Sequence, residues 1–60
     1  MGEAVTTVLV EMTEDSEAWE AERHALAGYE GRRRVVGHAR LRWAMAGLRI
    51  WAVDLEEVPS

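Results

Sequence analysis

The amino-acid sequence predicts a small α+β domain of order β-α-β-β, with a three-stranded sheet and one helix packed on one face. Three observations carry this prediction. A mostly apolar, β-branched run lies near the start of the chain, a segment with helical apolar spacing follows, and the remainder alternates apolar and polar side chains around a glycine. With 60 residues, the chain is predicted to form one domain, residues 1–60.

The first two elements are a strand over residues 4–12 and a helix over residues 14–29. The strand is rich in valine and threonine, which favour pleated structure. Thr13 is the predicted N-cap of the helix, and the acidic residues that follow it suit the positive end of the helix dipole. Gly28 and Gly31 are predicted to end the helix, with Gly31 as the C-terminal stop. The large apolar side chains of the helix share one stripe: Trp19, Leu26 and Tyr29.

The last part of the chain is predicted to form a β-hairpin with strands over residues 34–44 and 48–57. Its alternation has the period of a half-buried strand. A three-residue loop over 45–47 places Gly47 at positive φ, whereas a two-residue loop would shift the register by one. The predicted core of this hairpin is Ala39, Leu41, Trp43, Trp51, Val53 and Leu55.

The same hairpin register predicts contacts on the other face of the sheet. His38 is placed opposite Asp54, and Arg40 is placed diagonal to the same carboxylate. A cross-strand charge pair is the preferred interpretation of His38 and Asp54, ahead of an acid–base pair.

A helical alternative exists for residues 32–58, because Leu41, Leu48 and Leu55 are spaced seven apart. The strand Val5–Val10, the helix 14–29 and the break at residues 31–34 then resemble the ribbon-helix-helix family of dimeric DNA-binding proteins. The resemblance implies a strand-helix-helix dimer whose paired N-terminal strands enter the major groove. The hairpin is preferred, since a glycine in the middle of a helix costs about 1 kcal/mol.

Size and composition together predict self-association. A chain of this length hides only about 60% of the surface its unfolded form exposes. It has no cysteine, so disulfides and cysteine-based zinc sites are excluded as sources of stability. One helix covers one face of a sheet, and a homodimer or larger assembly is therefore expected. The predicted oligomer contacts are Val8, Val10, Leu48 and Ile50.

Charge is segregated along the chain, although the net charge is only −4. Residues 1–30 carry eight acids and one arginine, residues 31–49 carry six arginines and no acid, and residues 50–60 carry three acids. The preferred interpretation is neutralisation within the protomer, and the other is a basic segment that faces a polyanion. The predicted partner- or anion-binding residues are Arg32, Arg33, Arg34, Arg40 and Arg42.

Catalysis has little support, because cysteine and lysine are absent and serine occurs only at Ser16 and Ser60. Glu20 and His24 are interpreted as a solvated helix pair rather than half of a metal site. No catalytic residue, metal site or cofactor is therefore predicted.

The predicted function is that of a small, non-enzymatic interaction module that associates with itself and binds a protein partner through its arginines. The alternative is a dimeric DNA-binding regulator or antitoxin. No apolar run is long enough to span a membrane, and a cytoplasmic protein is expected. Residues with AT-rich codons are scarce, which indicates a bacterial or phage origin and an accessory role in a phage or mobile element.

Overall fold

The computed structural model describes residues 4–29 and 31–58 and confirms the α+β fold class. One helix packs on a four-stranded antiparallel sheet whose central strand is the last in the chain. The first strand pairs with one side of this central strand, and the two short strands follow one another along its other side. The elements are β1 (Val5–Thr13), α1 (Ala18–Ala27), β2 (Arg33–Val35), β3 (Arg40–Met45) and β4 (Leu48–Glu57).

The segment predicted as one strand over 34–44 is two strands, β2 and β3. Gly37 lies between them with φ +70°, a conformation that breaks a regular strand. Beside the break, the Val36 N–H donates to the Asp54 carbonyl at 2.9 Å and the Ala39 N–H donates to Glu22 Oε2 at 2.7 Å. Both strands still pair with β4, so the helical alternative for residues 32–58 is wrong.

The turn of the hairpin differs from the prediction by one residue. Met45 pairs with Leu48, so the loop holds two residues rather than three. Arg42 is an extra residue on β3, a β-bulge between the pairs formed by Leu41 and Trp43. The bulge cancels the shift, and beyond it Leu41 pairs with Trp51 as predicted. Gly47 has φ +78°, which confirms its predicted conformation.

Alternation along β1 and β4 decides which side chains lie beneath α1. Residues paired across an antiparallel ladder share a face, and Val8 and Val10 pair with Val53 and Trp51. These side chains belong to the core, together with Leu55. Among the described residues, the buried members of this cluster are Val10, Ala21, Ala25, Ala39, Trp51, Val53 and Leu55, and Val8 packs against them.

Helix α1 is shorter than predicted and begins four residues later, at Ala18. Its N-cap is Glu17, whose N–H donates to Glu20 Oε1 at 2.8 Å, and Thr13 is not the cap. The turn before the helix is held by the sheet instead. Arg49 Nη1 donates to the Ser16 carbonyl, and Trp51 Nε1 donates to Ser16 Oγ, each at 2.9 Å.

Small side chains, rather than the predicted aromatic stripe, face the sheet from α1. Ala21 and Ala25 are 0% and 4% exposed, whereas Trp19 is 52% exposed. Two further residues of the predicted hairpin core, Leu41 and Trp43, are also exposed. Alanine lets the helix approach the sheet closely, so the bulky residues of the stripe remain outside the core.

Candidate interaction surfaces

The sheet face that α1 does not cover is the first candidate surface, which we call the open face. Leu9 and Trp43 on it are 56% and 50% exposed, and Met45 is 56% exposed. The strand register assigns its members, because Leu9 pairs with Ala52 and Trp43 pairs with Ile50. Its residues are Val5, Thr7, Leu9, Glu11 and Thr13 on β1, Arg34 on β2, Arg40, Trp43 and Met45 on β3, and Leu48, Ile50, Ala52, Asp54 and Glu56 on β4.

A hydrogen-bonded network crosses the open face from β1 to β3. Arg40 donates to both carboxylate oxygens of Asp54, at 2.8 and 3.2 Å, and Thr7 Oγ1 donates to the same carboxylate at 2.6 Å. These hydrogen bonds, first that of Arg40 and then that of Thr7, lower the pKa of Asp54 to about 2. The carboxylate also raises the pKa of Arg40. The predicted diagonal contact between Arg40 and Asp54 is thereby confirmed.

The five predicted binding arginines lie along one side of the sheet, and we call this side the arginine margin: Arg32, Arg33, Arg34, Arg40 and Arg42. They follow β4 from Glu57 to Ile50, a length of about 23 Å at about 3.3 Å per residue. They do not share one face. Arg34 pairs with Glu56 across the ladder, on the open face, whereas Arg33 pairs with Glu57 on the other.

Two arginines of the margin are neutralised by acids of β4. Arg34 forms an ion pair with Glu56, and Arg40 forms the bidentate pair with Asp54. These contacts support the interpretation that the basic segment is balanced within the protomer. The basic block 31–49 and the acidic block 50–60, which are consecutive in sequence, lie side by side in the sheet.

Two other arginines of the margin lie over aromatic rings. The guanidinium of Arg33 is 5.1 Å from the Tyr29 ring centroid, and that of Arg42 is 5.2 Å from the Trp43 centroid. Neither forms an ion pair with another residue of the described ranges. Arg42 therefore offers a cation where the arginine margin meets the apolar part of the open face.

The four predicted oligomer contacts fall on different faces. Val8 and Val10 pack beneath α1, and Val10 is 6% exposed. Leu48 and Ile50 lie half-buried on the open face. Sequence reasoning missed Leu9, which alternation alone could have assigned to the face of Ile50. It placed Trp43 in the core, because a bulge leaves no mark in the apolar pattern.

One of the two histidines, His38, lies apart from the position that the sequence suggested. His38 Nδ1 is 3.7 Å from Glu22 Oε2, so the predicted pairing of His38 with Asp54 is wrong. The break before β3 turns the residue toward the helix. His24 and Glu20 line an open groove of about 400 Å³ between α1 and β1. Within residues 4–29 and 31–58, no group of three metal-ligating side chains comes together.

Comparisons with protein families, curated proteins and solved structures found no match to this chain. In the described part of the chain, no helix has the length and apolar character needed to cross a membrane. Function is therefore argued from the chemistry of the open face and the arginine margin.

Proposed function

We propose that this protein is a non-enzymatic interaction module that associates with itself and binds an acidic protein partner along the arginine margin. The observation that carries the proposal is the uncovered apolar surface beside this margin, with the Arg42 guanidinium over the exposed Trp43 ring. Tryptophan and arginine are enriched among the residues that dominate protein–protein binding energy.

A binding role is favoured over a catalytic one by the polar chemistry of the described residues. The buried polar side chain there is Ser16, and its hydroxyl accepts a hydrogen bond from Trp51. A nucleophilic serine needs a neighbouring base and access to substrate. Ser16 instead joins the helix start to the sheet, which is a structural task.

An acidic protein suits the arginine margin better than a nucleic acid does. Arg34 and Arg40 already neutralise Glu56 and Asp54, and a phosphate backbone brought to them would also face these carboxylates. The net charge of −4 opposes binding to a polyanion further. In addition, β1 contains no arginine or lysine to read a DNA groove. A partner that carries a few well-placed carboxylates can bind Arg42, which forms no ion pair within the described residues.

The choice between protein and nucleic acid is tested by titrating the tryptophan fluorescence with two probes. One is a synthetic peptide of alternating glutamate and leucine, and the other is mixed-sequence duplex DNA. We expect a saturable change with the peptide and none with the duplex. Saturable duplex binding that weakens by about 10³–10⁵ between 50 and 200 mM salt would overturn the proposal in favour of a DNA-binding regulator.

Arg42 and Arg23 provide a matched pair of variants for the peptide titration. Each guanidinium lies over an exposed tryptophan, at 5.2 Å from Trp43 and 5.9 Å from Trp19, but Arg23 is on the helix, away from the arginine margin. Arg42→Ala is expected to weaken peptide binding by about fivefold to tenfold, as lost charge-assisted contacts do. Arg23→Ala should leave it unchanged. Equal losses in both variants would indicate general charge attraction and contradict the assigned site.

A further inference from the structure

We propose that the outer edge of β1 pairs antiparallel with β1 of a second copy of this chain, about a twofold axis at Leu9. The inference rests on the proposed self-association and specifies where it occurs. Pairing there joins two four-stranded sheets into one continuous sheet. The arginine margins then lie at the two far sides of the assembly, free for partners.

The outer edge of β1 carries backbone groups that the described residues do not pair. β1 hydrogen-bonds β4 on one side, and no described strand lies on the other. The Glu57 N–H donates to the Ala4 carbonyl at 3.4 Å, one position beyond the pair formed by Val5 and Glu56. In an antiparallel ladder, hydrogen-bonded pairs alternate with pairs that are not hydrogen-bonded. The backbone N–H and C=O groups of the even-numbered residues of β1 therefore point toward β4. The outward backbone groups belong to Val5, Thr7, Leu9, Glu11 and Thr13.

This edge lacks the features that usually protect a sheet from pairing. Natural edge strands are short, bulged, or carry proline or lysine. β1 has nine residues, contains neither proline nor lysine, and pairs with β4 without a register shift. Its one charged side chain is Glu11. An edge of this length and regularity can pair with another strand. If that strand is β1 of a second copy, both outer edges are used, and the association stops at a dimer.

Symmetry restricts the register of such a pair. A twofold axis normal to the sheet pairs residues of the same face, so a residue at the axis meets its own copy. An axis at Leu9 pairs all nine residues of β1 and forms about ten backbone hydrogen bonds. It places Thr7 opposite the partner's Glu11. An axis at Glu11 would instead set two carboxylates against one another and leave fewer pairs.

Apolar contacts on the helix-covered face support the same axis. Val8 is placed opposite the partner's Val10, and because Val10 is already 6% exposed in its own protomer, this pair adds contact across the axis but buries little further area. Above them, the groove between α1 and β1 contains Met12 and the half-exposed Trp19. The paired sheet carries both helices on one face, and each groove opens toward the helix of the other copy.

Single cysteines test this register directly, because the chain contains none. Paired residues at the axis have Cα atoms about 5.5 Å apart, within reach of a disulfide. Leu9→Cys is therefore expected to form a disulfide-linked dimer under mild oxidation. Thr7→Cys or Glu11→Cys alone should not, since each lies about 13 Å from its own copy along the strand. A mixture of these two variants should give the cross-linked heterodimer.

Leu9→Pro supplies a second variant, with Leu9→Ala as its control. The Leu9 N–H points outward, so proline removes a donor that the β1–β4 ladder does not use. We expect Leu9→Pro to be a folded monomer by circular dichroism and sedimentation equilibrium, and Leu9→Ala to remain a dimer. A wild-type monomer at sub-millimolar concentration would overturn both this inference and the proposed self-association. A wild-type dimer without the cross-linking pattern, or an unaffected Leu9→Pro dimer, would overturn the β1 pairing alone.

Discussion

The hydrogen bond between Trp51 and Ser16 joins the centre of β4 to the start of α1. Its atoms, Trp51 Nε1 and Ser16 Oγ, are 2.9 Å apart, and the two residues are 8% and 2% exposed. If one of the two groups is removed, the other stays buried without a hydrogen bond, and the free energy of unfolding falls by about 1–3 kcal/mol. A domain of this size has only about 3–5 kcal/mol of stability, so one such loss lowers the unfolding midpoint strongly.

We therefore predict non-additive effects in the cycle formed by Ser16→Ala, Trp51→Phe and the double variant. The double variant removes the donor and the acceptor together. Its loss in free energy of unfolding should therefore be at least about 1 kcal/mol smaller than the sum of the losses in the two single variants. Urea unfolding followed by far-ultraviolet circular dichroism gives each free energy. Trp43→Phe is the control, because this half-exposed ring should change stability by less than about 0.5 kcal/mol.

Additivity of the two changes within about 0.3 kcal/mol would refute this reasoning. The hydrogen bond would then not be the reason that the turn before α1 is tied to the sheet. A cost in Trp43→Phe equal to that of Trp51→Phe would also contradict the burial on which the argument depends.

Three further outcomes are expected. The folded pKa of Asp54 is about 2 and its ordinary value is 3.8, so its contribution to stability is present above pH 4 and is lost as the pH falls toward 2. The urea midpoint should therefore decrease over this range, and Asp54→Asn should weaken the decrease. Gly47→Ala should cost about 1–2 kcal/mol because φ there is +78°, whereas Gly28→Ala, at φ −85°, should not destabilise the protein in thermal unfolding. Leu55→Ala should lower the free energy of unfolding by about 2–5 kcal/mol and leave little folded protein. Leu9→Ala, on the exposed face, should have little effect on stability in thermal unfolding.

Several features of this fold follow from local chemistry that can be read directly. Valine and threonine favour β1, the alternation after Gly37 favours strands, and Gly47 suits a turn that needs positive φ. The spacing of Arg40 and Asp54 across the hairpin also predicted their contact. The sequence predicted part of the candidate site, because all five chosen arginines lie along one margin. It did not predict that two of them, Arg34 and Arg40, form ion pairs with acids of β4.

The sequence by itself determined the α+β class, the succession of a strand, a helix and further strands, and the opposition of acidic and basic blocks, because these depend on residue type and short-range periodicity. The sequence also predicted four buried residues of the hairpin correctly, Ala39, Trp51, Val53 and Leu55, and only the tertiary structure decided which of the other large apolar side chains stay outside the core. The bulge at Arg42 turns Trp43 to the open face, and Ala21, rather than Trp19, meets the sheet. The helix start depends on contacts from β4 to Ser16. These features depend on contacts between residues that are distant in sequence, and the local pattern of apolar and polar residues does not predict such contacts.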